Sequence, residues 1–181
     1  MVGSLIRLAV AVSLSLALAD CASTNGSYSD LPTAALRSAR VETPATPLQC
    51  VPYARARSGL PIYGDAGTWW AKSDGLYAHE STPSRGSVMV LTGYAGPGRA
   101  HVAVVASLIS DREITVDHAN WLDDGAIYHN DPVVDVSSDN DWSEVRVFNP
   151  RTASWGTRTY LVQGFIGPEF DGDHARVAQG W

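Results

Sequence analysis

The chain has 181 residues, of which 45% are hydrophobic, and its 13 Lys and Arg against 19 Asp and Glu give a formal net charge of -6. This length suits one domain, and six Trp and seven Tyr can supply its core, which argues against wholesale disorder. The acidic balance argues against a nucleic-acid partner. Two cysteines are too few for a disulfide scaffold or a four-thiolate zinc site.

The N-terminus has the features of an export signal. Arg7 precedes an uncharged run of Leu, Ala, Val and Ser that covers the 11 residues 8–18. A membrane-spanning helix needs about 20 apolar residues, so this run matches the core of a signal peptide instead. We therefore expect residues 1–19 to be a signal peptide, cut after the small-x-small pattern that ends at Ala19.

Cys21 leaves two fates open for the exported protein. Residues 18–21 resemble the lipobox of bacterial lipoproteins, in which the cysteine is acylated, but Asp20 stands where a small residue is usual. Free secretion and a lipid anchor on Cys21, with the membrane as a partner through that anchor, are both compatible with this pattern. In either case the predicted location is the periplasm or the cell envelope.

The rest of the chain divides into a linker, a folded domain and a tail. Ser, Thr, Ala, Asn and Pro dominate residues 20–47 without a sustained apolar period, which predicts a linker. The dense apolar pattern of residues 48–168 predicts the folded domain, and residues 169–181 are expected to form a peripheral C-terminal tail.

Two short helices followed by strands are predicted inside the domain. The first helix begins at Cys50 and ends at Gly59, and the second begins after Asp65 and ends near Gly75. Segments rich in Val and Ile and bounded by turn residues predict the strands, which are 87–91, 101–108, 113–118, 133–136, 145–148 and 160–166. Helices followed by an antiparallel sheet predict the α+β fold class.

The position of Cys50 at the start of a helix favours a reactive thiolate. Backbone N–H groups at that end lower the pKa of a thiol from its free value of ~8.5, and they can also hold the oxyanion of a tetrahedral intermediate. The competing interpretation is a buried and inert cysteine. The catalytic interpretation requires a base near Cys50.

Two histidines can supply that base if the strands on either side of residue 110 form a hairpin. A two-residue turn at 110–111 would set His101 opposite Asn120, with His118 on the same face of the sheet. A slip of one residue would move His101 to the other face. Together with Cys50, these residues outline a nucleophile, a base and an orienting group.

These segments resemble the motifs of CHAP domains, the cysteine, histidine-dependent amidohydrolases/peptidases. Five of them occur in the order seen in that family: Gln49–Arg55, Gly64–Trp70, Pro83–Val88, His101–Val105 and Asp117–Trp121. The resemblance implies a papain-like fold, with short N-terminal helices packed on an antiparallel β-sheet. It makes residues 48–168 a CHAP-like catalytic domain that cleaves peptidoglycan as an amidase or an endopeptidase.

The resemblance also implies a role for each site residue. Cys50 matches the nucleophile and His101 matches the general base. The third position falls on His118, and Asn120 is the alternative orienting group. The backbone N–H of Cys50 is the expected oxyanion donor, with Gln49 in support.

This sequence departs from the family pattern at three places. Ala100 stands where a glycine usually precedes the base, and His118 stands where a carboxylate or polar group is usual. The insert 92–99 lengthens the loop before the base.

The expected partners are the peptide stems of peptidoglycan, with no cofactor and no metal. Asp139, Asn140, Asp141 and Glu144 lack the glycine and the distal glutamate of an EF-hand loop. Two alternatives to an enzyme remain. One is a non-catalytic envelope lipoprotein that binds wall peptides in the same cleft, and the other is a structural lipoprotein in which Cys50 belongs to the core.

Overall fold

The computed structural model of the protein describes residues 33–167. The predicted signal peptide, the lipidation candidate Cys21 and the tail 169–181 lie outside the described residues. The α-helices of the described part are α1 (Thr33–Ser38), α2 (Cys50–Ser58) and α3 (Trp69–Ser73), with a 3₁₀ turn at Ala66–Thr68. Its strands are β1 (Arg40–Glu42), β2 (His79–Glu80), β3 (Val88–Thr92), β4 (Ala100–Leu108), β5 (Glu113–Ala119), β6 (Ile127–Asp135), β7 (Glu144–Asn149), β8 (Ser154–Trp155) and β9 (Tyr160–Ile166). No helix within residues 33–167 is long and apolar enough to cross a membrane.

The strands close into a six-stranded antiparallel barrel, so the predicted papain-like α+β fold is wrong. Along β3, β4, β5, β6, β7 and β9 each strand pairs with the next, and β9 pairs with β3 to complete the ring. The helices have only six, nine and five residues, so the described fold is mostly β. The apolar pattern identifies strands but not their partners. Closure depends on the β6–β7 and β7–β9 pairings, which no local pattern encodes.

Part of the predicted linker adds to this barrel. β1 pairs antiparallel with β6, with Arg40 opposite His129 and Glu42 opposite Ile127. The side chains of Glu42 and His129 also meet, because Glu42 Oε2 lies 2.9 Å from His129 Nε2. The chain before the domain is therefore held along the edge of β6 from residue 40 to residue 42.

The central barrel strands are buried on both faces, which explains the near-continuous apolar runs of β3 and β4. One face fills the interior of the barrel with side chains from all six strands, among them Met89, Ala103, Val116, Tyr128, Val145 and Phe165. The opposite face packs against the helices, with Val88, Val90, Val102 and Val104 in one cluster with Ala54 of α2 and Trp69 of α3.

Helix α2 has the predicted bounds, whereas the second predicted helix is split into the 3₁₀ turn and α3. Gly59 ends α2 in the left-handed region at φ 78°, and its N–H donates to the carbonyl of Arg55. Ala54 is fully buried against the barrel. Arg57 Nε donates to Asp117 Oδ2 of β5 at 2.8 Å. The contacts of Ala54 and Arg57 fix α2 against the barrel.

The β4–β5 hairpin has the predicted register at its histidine end, but its loop is longer than predicted. Val104 lies opposite Asp117, the pairing that the two-residue turn required. The tip is nevertheless one residue longer than predicted, because Leu108 pairs with Ile114 and residues 110–112 form the loop. An extra residue in β4, Ala106, compensates.

Ala106 forms a β-bulge in β4. Val105 pairs with Val116 but Ser107 pairs with Thr115, so one residue of β4 has no partner. The Nε of Arg85 donates to the carbonyl of Ala106 at 2.9 Å, which satisfies the group that the bulge removes from the ladder.

A second irregularity lies in β6. Val116 and His118 of β5 are two residues apart, but their partners Asp131 and Tyr128 are three residues apart. The extra residue is accommodated by Asn130, which adopts φ 49°. Consequently Tyr128 and Asp131 both lie opposite residues of β5 that face the barrel interior.

Gly164 in β9 is a position where any side chain would disturb the barrel. Its φ is 150°, and an added Cβ would lie 2.4 Å from Cη2 of Trp70 and 2.9 Å from the carbonyl oxygen of Glu80. We expect Gly164→Ala to lower the free energy of unfolding by about 2 kcal/mol through this overlap and the strained backbone. Urea denaturation measures the change.

Gly86 provides the matched control for Gly164. Its φ is 87°, but an added Cβ would meet nothing within 4 Å. Gly86→Ala therefore reports the backbone cost alone and should destabilise the protein less. Equal losses in the two variants would contradict the overlap with Trp70.

Candidate active site

Cys50 lies between two surface cavities. The first has a volume of about 420 Å³ and is bounded by the first turn of α2, by residues 64–67 and by residues 98–100. The second has a volume of about 430 Å³ and is bounded by residues 94–95, 99–101 and 120–123, together with Arg158 and Tyr160. The residues that line both cavities are Gln49, Cys50, Arg99 and Ala100.

Burial, and not the helix start, decides the ionisation of Cys50. It raises the pKa of the thiol above its ordinary value of 9.0. The backbone N–H groups of Val102, Val51 and Cys50 itself, together with the charge of Arg99, lower this pKa but do not cancel the burial. The sequence-based expectation of a lowered pKa is therefore wrong. At neutral pH Cys50 is a thiol that needs a base.

His101 is placed to be that base. It lies in β4, is only 1% exposed, and lines the second cavity together with Cys50 and Asn120. Its pKa is lowered well below 6.5, first because burial disfavours the imidazolium ion and then because His118 is close. His101 is thus a neutral imidazole at neutral pH, which is the form that accepts a proton.

Hydrogen bonds connect His101 through His118 to Asp131, a residue that the sequence analysis did not identify. His101 Nε2 and His118 Nδ1 are hydrogen-bonded at 2.9 Å, and His118 Nε2 lies 3.0 Å from Oδ2 of Asp131. All three side chains are buried. Burial raises the pKa of Asp131, and the hydrogen bond and charge of His118 act against that rise. Of the two orienting candidates, only His118 touches His101 by a hydrogen bond.

Asp131 was missed because it lies in the first half of β6, which the sequence did not predict as a strand. Polar residues and Pro132 interrupt the apolar pattern there. The available signal was an acidic residue two positions before the apolar pair Val133 and Val134, since a charge beside a buried strand is rarely buried without a partner.

Asn120 contacts Gln49 rather than His101. Its Nδ2 donates to Gln49 Oε1 at 2.9 Å, and its Oδ1 accepts the N–H of Gly125 at 2.7 Å. The backbone of Asn120 is left-handed at φ 59°, a conformation that Asn tolerates better than most residues. The N–H of Leu48 also donates to the carbonyl of Gly125. The loop after β5 therefore holds the residues that precede Cys50.

Aromatic rings surround the two histidines. The Trp121 ring lies 5.0 Å from the ring of His101 and 5.2 Å from that of His118, and the Tyr94 ring lies 4.9 Å from that of His101. Tyr94 comes from the insert before β4, and its hydroxyl donates to the carbonyl of Trp121. These rings help to remove the histidines from water, which is the physical cause of the lowered pKa of His101.

Charged side chains, and no set of metal ligands, line the two cavities. Asp65 lies in the first cavity, Asp123 and Arg158 in the second, and Arg99 in both. Arg158 Nη2 donates to the carbonyl of Gly93 at 2.6 Å. Within residues 33–167, no group of three or more His, Cys, Asp or Glu side chains is arranged to hold a metal ion.

Comparison with known protein families gives a match over the segment that carries the candidate site. A family model of the CHAP domain matches residues 41–120, a segment that contains Gln49, Cys50, His101, His118 and Asn120 but ends before β6. No curated protein matches the chain. Residues 41–120 therefore match the CHAP domain, a family of amidases and peptidases of the peptidoglycan-hydrolase type.

Proposed function

We propose that the protein is an exported hydrolase that cleaves amide bonds of bacterial peptidoglycan, with Cys50 as its nucleophile. The observation that carries this proposal is the cavity lined by both Cys50 and His101, in which His101 is a buried neutral imidazole. The CHAP family supports the class of reaction and the peptide stems of peptidoglycan as the substrate.

The reaction follows from the protonation states of the two residues. His101 takes the proton of the Cys50 thiol, and the sulfur attacks the carbonyl carbon of the amide. His101 uses Nδ1 for this step because its Nε2 is already bonded to His118. The imidazolium then protonates the leaving amine, and water hydrolyses the thioester with His101 again as the base.

The oxyanion of the tetrahedral intermediate needs hydrogen-bond donors at the start of α2. The backbone N–H of Cys50 is one donor, and the side-chain amide of Gln49 is the second. Because Asn120 holds Oε1 of Gln49, the amide nitrogen of Gln49 is left to donate to the substrate. Asn120 therefore supports Gln49, while His118 orients His101.

The place of action follows from the N-terminal sequence. A signal peptide over residues 1–19 would export the protein to the periplasm or the cell envelope, where peptidoglycan is found. Acylation of Cys21 would add a membrane anchor, and cleavage after Ala19 would release a soluble enzyme. Both forms leave the domain that contains Cys50 on the same side of the membrane as its substrate.

Digestion of purified sacculi tests this function directly. Mass spectrometry of the released fragments should reveal new free amines or carboxyl groups at broken amide bonds. A free lactyl group on muramic acid identifies an amidase, whereas a new peptide terminus with the lactyl amide intact identifies an endopeptidase. The count of glycan reducing ends is the control and should equal that of untreated sacculi. Release of glycan ends without amide cleavage, or no release at all, would contradict the proposal.

A further inference from the structure

Asp131 lies at the inner end of a chain of hydrogen bonds that leads to the proposed base. Its Oδ2 is 3.0 Å from Nε2 of His118, and Nδ1 of His118 is 2.9 Å from Nε2 of His101. Asp131 comes from β6 and is fully buried, whereas both histidines come from the β4–β5 hairpin. Asp131 does not itself line the second cavity, and its hydrogen bonds connect it to that cavity through the two imidazole rings.

The chemistry of a carboxylate sets the direction of this chain. A carboxylate can only accept a hydrogen bond, so His118 must carry its proton on Nε2 and present Nδ1 as an acceptor. His101 must then donate from its own Nε2, and a neutral imidazole with a proton on Nε2 has a lone pair on Nδ1. With the chain reversed, the proton would occupy Nδ1 of His101 and no acceptor would remain for the thiol of Cys50.

We propose that Asp131 is a positioning residue that fixes the tautomers of His118 and His101, so that Nδ1 of His101 is free to accept the proton of Cys50. The role in catalysis rests on the proposed function of Cys50 and His101. The tautomers themselves follow from the three side chains alone.

The second oxygen of Asp131 supports this role. Oδ1 is buried and has no hydrogen-bond partner among the described residues. A carboxylate with an unpaired buried oxygen costs stability, so packing alone gives no reason for an acid at this position. In the part of the chain that the structure describes, the side chain of Asp131 forms one hydrogen bond, which goes to His118.

The variant Asp131→Asn separates the tautomer from the shape of the side chain. If the amide oxygen of the variant faced His118, the NH₂ group would occupy the position of Oδ1, where the unmodified protein buries an oxygen and not a donor. With the NH₂ group towards His118, the amide oxygen keeps the position that Oδ1 has. We therefore expect the NH₂ group to face Nε2 of His118, which reverses the chain and puts the proton of His101 on Nδ1. The value of kcat for hydrolysis of sacculus-derived peptides should fall at least about 100-fold, with little change in KM.

Long-range ¹H–¹⁵N correlation spectra of the ¹⁵N-labelled protein read the tautomers directly. The unmodified protein should show both histidines protonated on Nε2, and Asp131→Asn should show both protonated on Nδ1. A proton on Nδ1 of His101 in the unmodified protein would overturn the proposal. This measurement does not depend on whether a variant folds. Unchanged tautomers and unchanged kcat in Asp131→Asn would overturn it as well.

Asp135 supplies the matched control on the same strand. It is also fully buried, and among the described residues one of its oxygens also has no hydrogen-bond partner. Within the same residues it contacts Arg112 and Ser137 and no histidine. Asp135→Asn should keep the tautomers and kcat of the unmodified protein, and a tautomer shift as large as that of Asp131→Asn would refute a specific role. Should no peptidoglycan amide be cleaved at all, the proposed function fails while the spectra still decide the tautomers.

Discussion

Replacing Cys50 by serine is expected to abolish cleavage of peptidoglycan amides, with a loss of about 10⁴-fold or more in kcat. A hydroxyl is far harder to deprotonate than a thiol, and burial lowers the pKa of His101, which makes this imidazole a weak base. Serine suits the first turn of a helix, so α2 should keep its structure. Release of soluble fragments from sacculi measures activity, and thermal unfolding verifies the fold.

Alkylation provides an independent check of the same residue. Iodoacetamide should inactivate the unmodified protein by modifying Cys50, which peptide mapping identifies. Because burial raises the pKa of this thiol above 9.0, the rate of inactivation should still increase with pH beyond that value. Full activity in Cys50→Ser, or full activity after complete alkylation of Cys50, would refute the assignment of Cys50 as the nucleophile.

The second large effect is expected at the two histidines. His101→Ala removes the base and should reduce kcat by about 10³-fold or more. His118→Ala should cost less, because His101 would still be present but no longer oriented. The double variant should be no worse than His101→Ala alone, because His118 acts only through its 2.9 Å hydrogen bond to His101. Additive losses in the double variant would show that His118 has a separate function.

The pH profile adds a test of the base assignment. The active form of His101 is neutral, and its pKa is lowered well below 6.5 by burial and by His118. Activity should therefore persist below pH 6.5 and fall only when the pH passes through the lowered pKa. Circular dichroism over the same range shows whether the protein stays folded. An acid limb at or above pH 6.5 in a folded protein would contradict the assignment of His101.

Local features of the site could be predicted from the sequence. The bounds of α2 follow from a helix that starts at Cys50 and a glycine that ends it, both of which are encoded within ten residues. The strands that carry His101 and His118 follow from their Val-rich pattern and its turn residues. These elements depend on neighbours in the chain, so a local pattern is enough to identify them.

Features that depend on distant contacts could not be predicted. The closure of the barrel depends on pairing between β6, β7 and β9, and the predicted α+β fold was wrong for this reason. The pKa of Cys50 was predicted in the wrong direction because its burial comes from the tertiary structure. Asp131 reaches His118 only because an extra residue in β6 turns it inward. Each of these facts needs segments that are far apart in sequence.

The bulge at Ala106 separates the tip of the β4–β5 hairpin from the end that carries the two histidines. The pairing of Val104 with Asp117 fixes the register at the histidine end, and the unpaired residue absorbs the extra length of the loop 110–112. Evolution can therefore lengthen or shorten this tip by a residue without turning His101 to the opposite face. For protein engineering, the tip is a place to insert a foreign peptide, such as an affinity tag or a wall-targeting module, at a distance from the cleft.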